Sequence, residues 1–114
     1  MAIGAPPIHC LNCSEGLTTL ILGAMHGDEY EGSVAINALA HAIDIKTLVG
    51  WLILLPALDL PAMMAGTRLT PEDGLNLTRV FPGNPLGSLT QRIANWLSET
   101  MMPLSDQIVD LHSG

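Results

Sequence analysis

The stretch GAMHGDEYEG at residues 23–32 places His26 and three carboxylates directly after an apolar run. Glu29 follows His26 by three residues, where the run gives way to a helical pattern, so the two side chains can converge on one ion. A second histidine, His112, ends the last apolar run of the sequence. Two imidazoles and one carboxylate are a ligand set of catalytic zinc sites, which keep a fourth position open for water. These three residues form a candidate zinc site.

Each of these residues also has an ordinary structural interpretation. A single histidine at a strand end is more often a hydrogen-bonded residue of the sheet rim than a metal ligand. Asp28 and Glu29 are acids of the kind that the first turn of a helix favours, because they complement the helix dipole. The loop between the two histidines is what favours the metal interpretation.

That loop reads TRLTPEDGLNLTRVFPGNP, at residues 67–85, and it contains Arg68 and Arg79, two of only four cationic residues in the chain. Asn76 and Thr78 in the same loop are neutral hydrogen-bond donors. An arginine pair beside a zinc site is suited to gripping a carboxylate through two parallel hydrogen bonds. The alternative is that the arginines form ordinary loop salt bridges with Glu72 or Asp73, which is plausible for one of them but not for both.

Strand and helix patterns alternate along the chain and would position these residues. Apolar or β-branched runs predict strands, and helical spacing of apolar residues predicts helices. The alternation predicts an α/β fold, a three-layer arrangement with a mainly parallel central sheet and flanking helices. Ligands bind at the carboxyl ends of such strands, where His26 and His112 stand. The predicted elements are a short edge strand at 8–13, strands at 17–25, 50–58 and 106–112, and helices at 30–43 and 88–102.

Each of the two predicted helices has an apolar face. In the helix at 30–43, Val34, Ala38 and Ala42 form one stripe, with Ala35, Leu39 and Ile43 beside it. In the helix at 88–102, Ser88 is the predicted N-cap with Gln91 in capping-box position, and the core face consists of Leu89, Ile93, Trp96 and Leu97. The segment 56–87 holds five of the eight prolines, which predicts a long functional or disordered loop with at most one helical turn near 61–65.

The bulk properties exclude several classes of protein. A chain of 114 residues with 48% hydrophobic and 13% charged residues predicts one compact domain and excludes a disordered chain. A net charge of −7 argues against nucleic acid or an anionic membrane as the main partner. No run is long enough for a transmembrane helix, and MAIGAPPIHC lacks the pattern of a signal peptide, so a cytoplasmic location is the default. Cys10 and Cys13 are interpreted as residues of an early strand, with a redox or zinc role as the minor alternative.

The motifs HGDEYEG, TRLTPEDG, RVFPG and DLHSG, in this order, resemble the succinylglutamate desuccinylase/aspartoacylase family of zinc carboxypeptidase relatives, from about Leu17 to Gly114. The resemblance implies a zinc-exopeptidase-like fold, and a single Zn²⁺ bound by His26, Glu29 and His112. It implies that Arg68, Asn76, Thr78 and Arg79 contact the substrate. Such enzymes hydrolyse the amide bond of an N-acyl amino acid with zinc-bound water. Within the family, the motifs HGDEYEG and TRLTPEDG are most similar to those of deacylases of small N-acetylated amino acids.

The sequence departs from the family pattern at three points. The family has Asp or Asn, any residue, Asn and Arg where this chain has Asn76, Leu77, Thr78 and Arg79. Thr78 replaces an asparagine expected to bind the substrate carboxylate, and Asn76 carries no negative charge to support a ligating histidine. The family's general-base glutamate lies downstream of DLHSG, and the glutamates left as substitutes are Glu31, Glu72 and Glu99.

From these departures, residues 1–114 are expected to be the N-terminal part of a zinc-dependent deacylase catalytic domain, with impaired hydrolysis. The exposed sheet edge of such a part predicts a homo-oligomer, or a second chain that supplies the missing segment. Three alternatives stay open at this point: a carboxypeptidase-like peptidase, a non-catalytic module that binds zinc or a carboxylate, and a purely structural α/β fragment.

Overall fold

Four strands form the central sheet, in the order β1-β3-β2-β4. A computed structural model describes residues 6–114, so part of the stretch inspected for a signal peptide lies outside the described residues. β2 runs parallel to both β3 and β4, whereas β1 pairs with β3 in the antiparallel sense. The strands are β1 His9–Asn12, β2 Thr18–Leu22, β3 Trp51–Leu55 and β4 Gln107–Asp110. The mainly parallel sheet is confirmed.

Three α-helices connect the strands, and all of the predicted elements are present with shorter bounds. They are α1 Tyr30–Ala42, α2 Leu60–Ala65 and α3 Leu89–Trp96. The predicted helix 88–102 is not uniform, because α3 continues as a π-helical turn at Leu97–Met101 and a 3-10 turn at Met102–Leu104. Further 3-10 turns lie at Ile45–Thr47 and Leu77–Arg79.

The sheet is covered on both faces, because successive residues of a strand point to opposite sides. Leu52 and Leu54 of β3 pack with Ile36 of α1 on one face. Ile53 and Leu55 pack with the α3 face, including Ile93, on the other. The expected three layers of helix, sheet and helix are thus confirmed.

The predicted buried face of α3 is correct. In α1 the predicted stripe of Val34, Ala38 and Ala42 is exposed, although Leu39 and Ile43 beside it do pack against the core. Val34 is 66% exposed, and the buried residues of α1 are Gly32, Ser33 and Ile36. The helix is apolar nearly all round, so spacing alone does not select a face. The buried face is the one with the small residues, because Gly32 lets the helix approach Leu111 closely, and the Ser33 hydroxyl donates a hydrogen bond to the Pro56 carbonyl.

β1 lies at one edge of the sheet, as predicted, and β4 lies at the other. All four residues of β4 are exposed, and Ile108 and Val109 are each 42% exposed. Within residues 6–114, no helix combines the length and the apolar character that crossing a membrane requires.

Candidate metal centre

His26 and His112 follow two strands that lie side by side. β2 ends at Leu22, which pairs with Asp110, the last residue of the parallel strand β4. Because parallel strands end at the same edge of a sheet, the chain leaves both strands toward one place. His26 lies in the turn after β2, and His112 lies just beyond Asp110.

The turn that carries His26 leads directly into α1. Glu29 is the N-cap residue of α1, with φ −99° and ψ 82°, and not part of its first turn as the sequence suggested. Gly27 is required between the two side chains, because a Cβ there would lie 2.1 Å from the carbonyl carbon of Ala62. The turn is therefore packed against α2, which limits how His26 and Glu29 can move.

The side chains of His26, Glu29 and His112 converge. One ligand atom from each lies within 4.8 Å of the other two. Glu29 stands in the middle, with Oε2 2.6 Å from Nδ1 of His26 and Oε1 3.1 Å from Nδ1 of His112. The imidazole rings are nearly edge to face, with their centroids 5.3 Å apart. The backbone N–H of Ser113 donates a further hydrogen bond to Glu29 Oε1 at 2.8 Å.

The outer nitrogen of each imidazole faces an oxygen that can accept a hydrogen bond from it. Nε2 of His26 is 3.0 Å from Oδ1 of Asn76, an oxygen that also accepts the backbone N–H of Thr78. Nε2 of His112 is 2.9 Å from a carboxylate oxygen of Asp110. Both outer partners accept hydrogen bonds, so each Nε2 can donate to its partner, and a metal ion at the centre would take the Nδ1 lone pairs.

Each Nδ1 lies within hydrogen-bond distance of the Glu29 carboxylate, so a positive charge, carried by protons or by a metal ion, belongs among the three groups. A divalent cation satisfies this condition, and two nitrogens with one carboxylate oxygen are a zinc ligand set. The outer hydrogen bonds are those that ligating histidines make to amide and carboxylate oxygens. The residues present therefore fit a zinc ion.

Burial and neighbouring polar groups shift the pKa values of two residues of the site, Glu29 and His112. Burial raises the pKa of Glu29, but hydrogen bonds from the Ser113 N–H and from His26 outweigh it, so the pKa of Glu29 lies below its ordinary value. Burial lowers the pKa of His112, but Asp110 and Glu29 outweigh it and raise the pKa of this imidazole. The centre therefore favours a carboxylate surrounded by positive charge.

A cavity of about 260 Å³ opens beside Glu29. Arg68 borders it, with Nη1 3.5 Å from Oε2 of Glu29 and a side chain that is 57% exposed. Most of the guanidinium is thus free to meet a ligand in the cavity. The lining residues are Asp28, Glu29, Glu31, Arg68, Ser113 and Gly114.

The other residues predicted to contact a substrate occupy different positions. Asn76 stands behind His26, and the Thr78 hydroxyl donates to the same Asn76 oxygen at 2.7 Å. Arg79 is exposed at the end of the 3-10 turn Leu77–Arg79 and does not line the cavity beside Glu29. The loop salt bridges considered as the alternative do not form within residues 6–114, since Arg68 contacts Glu29.

Sequence reasoning missed Asp110 and Ser113 as partners of the centre. Asp110 had a signal in the sequence, because the spacing Asp-x-His at a strand end places both side chains on one side of the chain. The Ser113 contact is made by a backbone N–H, which no residue type could reveal. Cys10 and Cys13 are exposed free cysteines far from any metal-ligand group in the described part of the chain.

Residues 15–114 match the sequence profile of the succinylglutamate desuccinylase/aspartoacylase catalytic domain. The chain is 43% identical over 108 residues to N-alpha-acetyl-L-2,4-diaminobutyric acid deacetylase of Halomonas elongata, covering 95% of this chain and 32% of that protein.

Solved structures agree with this match. A succinylglutamate desuccinylase from Silicibacter sp. TM1040 superposes with a TM-score of 0.92 at 44% identity, covering 96% of this chain and 33% of that one. The product-bound ectoine utilization protein EutE (DoeB) from Ruegeria pomeroyi superposes with a TM-score of 0.91 at 44% identity, covering 95% and 33%. The chain thus spans about a third of the length of these relatives.

Proposed function

The chain belongs to the succinylglutamate desuccinylase/aspartoacylase family, and we propose that residues 1–114 are the N-terminal, zinc-binding part of the catalytic domain of an enzyme that hydrolyses the amide bond of an N-acyl amino acid. The observation that carries the proposal is the convergence of His26, Glu29 and His112 beside a cavity that Arg68 borders. Such a reaction needs residues that bind the metal and a cationic side chain that binds an anionic group of the substrate.

The three converging residues would hold one Zn²⁺ through Nδ1 of each histidine and the carboxylate of Glu29. When bound, zinc supplies a Lewis acid for the acyl carbonyl and lowers the pKa of water toward about 7. Asn76 and Asp110 would accept hydrogen bonds from Nε2 of the two imidazoles, which makes each Nδ1 available to the metal. This arrangement would be set before the metal arrives, so little side-chain reorganisation accompanies binding.

Arg68 would bind the oxygen that becomes negative as the amide is attacked, or the carboxylate of the amino acid. Its guanidinium is held near the centre by Glu29 while most of it faces the cavity, and a preorganised cation stabilises developing negative charge without reorganisation. Arg79 and Thr78 are the further proposed contacts to the substrate carboxylate. Asn76 would act on the substrate through His26.

The proposed substrate is a small N-acetylated amino acid. The relative from Halomonas elongata, by its name, deacetylates N-alpha-acetyl-L-2,4-diaminobutyric acid, and the identity of 43% covers 95% of this chain. Relatives named succinylglutamate desuccinylase are equally similar. Comparing the acetyl substrate with N-succinylglutamate therefore separates the two possibilities.

Hydrolysis by the 114 residues alone is proposed to be slow, because no described glutamate has the place of a general base. Glu31 lines the cavity but accepts a hydrogen bond from the Ser113 hydroxyl, and Glu72 and Glu99 do not line it. A missing general base typically lowers the rate by about 10²–10⁴-fold. The remaining part of the site would come from further polypeptide or from a second copy of the chain.

The test is the metal content of the purified chain, with wild type beside His112→Ala, followed by hydrolysis of N-acetyl-L-2,4-diaminobutyrate. The proposal expects one zinc per wild-type chain, loss of zinc in the variant and a slow, zinc-dependent release of acetate. Stoichiometric zinc without any turnover would favour a non-catalytic binding module. Equal metal content in the two proteins would contradict the proposed metal centre.

A further inference from the structure

Asp59 is a fully buried carboxylate that belongs neither to the proposed metal ligands nor to the cavity lining. It is the N-cap of α2, where its Oδ1 accepts the backbone N–H of Ala62 at 3.2 Å. Its Oδ2 accepts a hydrogen bond from the hydroxyl of Thr70, which is also fully buried. One carboxylate therefore joins the start of α2 to a residue 11 positions further along the chain.

Arg68 lies between these two anchored points. Gly66 ends α2 in the left-handed conformation, with φ 69°, and Thr70 is held by Asp59. The residues between them, 67–69, are exposed and form a short bridge with Arg68 at its centre. The Thr67 hydroxyl donates to the Leu69 carbonyl at 2.7 Å, which stiffens the bridge. Its position is thus set by its two ends.

Asp59 is also attached to the turn that carries His26. Its backbone N–H donates to the carbonyl of Ala24 at 3.0 Å, and the N–H of Leu58 donates to the carbonyl of Gly23 at 3.0 Å. The same residue therefore contacts both the turn with the proposed metal ligands and the bridge with Arg68. A helix N-cap needs only one acceptor oxygen, so the second contact, to Thr70, is not explained by capping.

We propose that Asp59 and Thr70 are positioning residues that fix the Arg68 guanidinium relative to His26 and Glu29. The inference rests on the proposed function, in which Arg68 contacts the substrate. Thr70 also has backbone hydrogen bonds to Leu75 and Gly74, so losing the Asp59–Thr70 hydrogen bond would loosen this end of the bridge and let the guanidinium move away from the cavity. The proposed metal ligands lie on other segments and would keep their places.

The test uses two matched pairs of variants. Thr70→Val removes the hydroxyl at constant shape, and Thr70→Ser keeps it. Asp59→Ser can cap α2 but is too short to reach Thr70, whereas Asp59→Asn can accept from Ala62 and donate to the Thr70 oxygen. For each variant, zinc affinity is measured by chelator competition. Binding of N-acetyl-L-2,4-diaminobutyrate to the zinc-loaded chain is measured by calorimetry at a temperature where circular dichroism shows a folded protein.

We expect Thr70→Val and Asp59→Ser to weaken binding of the probe about three- to tenfold, with zinc affinity unchanged, and their partner variants to bind as wild type does. Arg68→Ala is expected to weaken it about 10–100-fold. Adding Thr70→Val to Arg68→Ala should then have no further effect, because Thr70 acts through Arg68. Should Thr70→Val not fold, Asp59→Ser against Asp59→Asn makes the same comparison.

Two failures are distinguishable. If Arg68→Ala weakens binding of the probe but Thr70→Val and Asp59→Ser do not, the positioning role is wrong and the proposed function stands. If Arg68→Ala leaves binding unchanged in a zinc-loaded chain, the proposed role of Arg68 is wrong, and the positioning role falls with it. An additive effect of Thr70→Val in the Arg68→Ala background would also overturn the inference, because Thr70 would then act by another route.

Discussion

The candidate metal centre joins two halves with opposite surroundings. In the buried half, β2 leads through a packed turn into α1, and His26 and Glu29 are only 5% and 8% exposed. In the edge half, β4 leads to His112, whose side chain is 39% exposed. Each half holds its imidazole through Nε2, but the buried partner is the neutral amide of Asn76 and the exposed partner is the carboxylate of Asp110.

The difference follows from the free energy of burying charge. A carboxylate behind His26 would lose much of its hydration, whereas an amide loses less. At the edge, water still solvates the carboxylate, so a charged partner can raise the basicity of His112 at little desolvation cost. We infer that the buried half contributes rigidity and the edge half contributes charge to the same ion.

The largest expected effect comes from removing a ligand from either half. His26→Ala and His112→Ala should each lower zinc affinity more than about 100-fold, because two protein ligands remain. Only His26→Ala should also lower the stability of the metal-free chain, by about 1–3 kcal/mol, since it leaves buried partners unsatisfied. Chelator titration and urea unfolding check the two effects. Equal destabilisation by the two variants would contradict the distinction between the halves.

A smaller effect is expected from changing the residue that accepts the hydrogen bond from Nε2 of each histidine. Each substitution gives one half the kind of partner that the other half has. Asp110→Asn keeps an acceptor for Nε2 of His112 but removes the charge, and should weaken zinc binding about tenfold. Asn76→Asp adds a charge behind His26 and should tighten zinc binding by several-fold, while destabilising the metal-free chain because the new carboxylate is partly buried. The measurement is zinc affinity beside the urea midpoint. Tighter binding without a loss of stability would show that burial at this position costs little.

The sheet and its two histidines could be predicted from the sequence, whereas the contacts that anchor the loop could not. The strands, the three-layer fold and the convergence of His26 with His112 follow from apolar runs and from the rule that parallel strands end at one edge. The anchoring contacts do not, because the Asp59–Thr70 and Asp73–Thr90 hydrogen bonds join distant segments. The segment 56–87, predicted to be a functional or disordered loop, is held at these points, and its Leu77 is fully buried.

The buried face of α1 was mispredicted for a related reason. Val34 is the larger apolar residue, yet Gly32 faces the sheet edge because its lack of a side chain lets Leu111 approach closely. Periodicity measures hydrophobicity and does not detect a close approach between two segments. That approach places Leu111, and with it His112, next to the helix whose N-cap is Glu29.

Gly32→Ala tests this junction between the halves. A Cβ at this position would lie 3.0 Å from the Cβ of Leu111 and 3.3 Å from its carbonyl oxygen, so the edge half must give way by a few tenths of an ångström. Zinc affinity should fall about threefold, because the ligand geometry is disturbed, while thermal stability holds or rises, because alanine favours a helix by about 1 kcal/mol over glycine. Asn37→Ala, exposed on the same helix, is the control and should leave zinc affinity unchanged. A fall in both quantities would mean that the helix moves instead of the edge.

The smallest expected effect is a pH dependence of the metal-free fold, which should arise from the carboxylates that anchor the loop beside the buried half. Burial raises the pKa of Asp59, although Thr70 and Ala62 donate hydrogen bonds that lower it. Burial also raises the pKa of Asp73, but hydrogen bonds from Thr90 and its neighbours outweigh it, so the pKa of Asp73 lies below its ordinary value.

Because the pKa values of Asp59 and Asp73 shift in opposite directions, the two residues should change the pH dependence of the free energy of unfolding in opposite directions. A raised pKa in the folded state favours the protonated acid, so the contribution of Asp59 to the free energy of unfolding is greatest below its unfolded pKa of 3.8 and decreases as pH rises through the folded pKa. The stability of Asp59→Asn relative to wild type should therefore increase as pH rises from about 4 to about 7. The contribution of Asp73 is fully present above its unfolded pKa of 3.8 and is lost as pH falls through the lower folded pKa, so the deficit of Asp73→Asn relative to wild type should shrink as pH falls below about 4. Urea unfolding with a chelator present, followed from about pH 3 to about pH 7, measures the two differences. If the stability differences of the two variants from wild type changed with pH in the same direction, the folded chain would not favour the protonated form of Asp59 and the ionised form of Asp73.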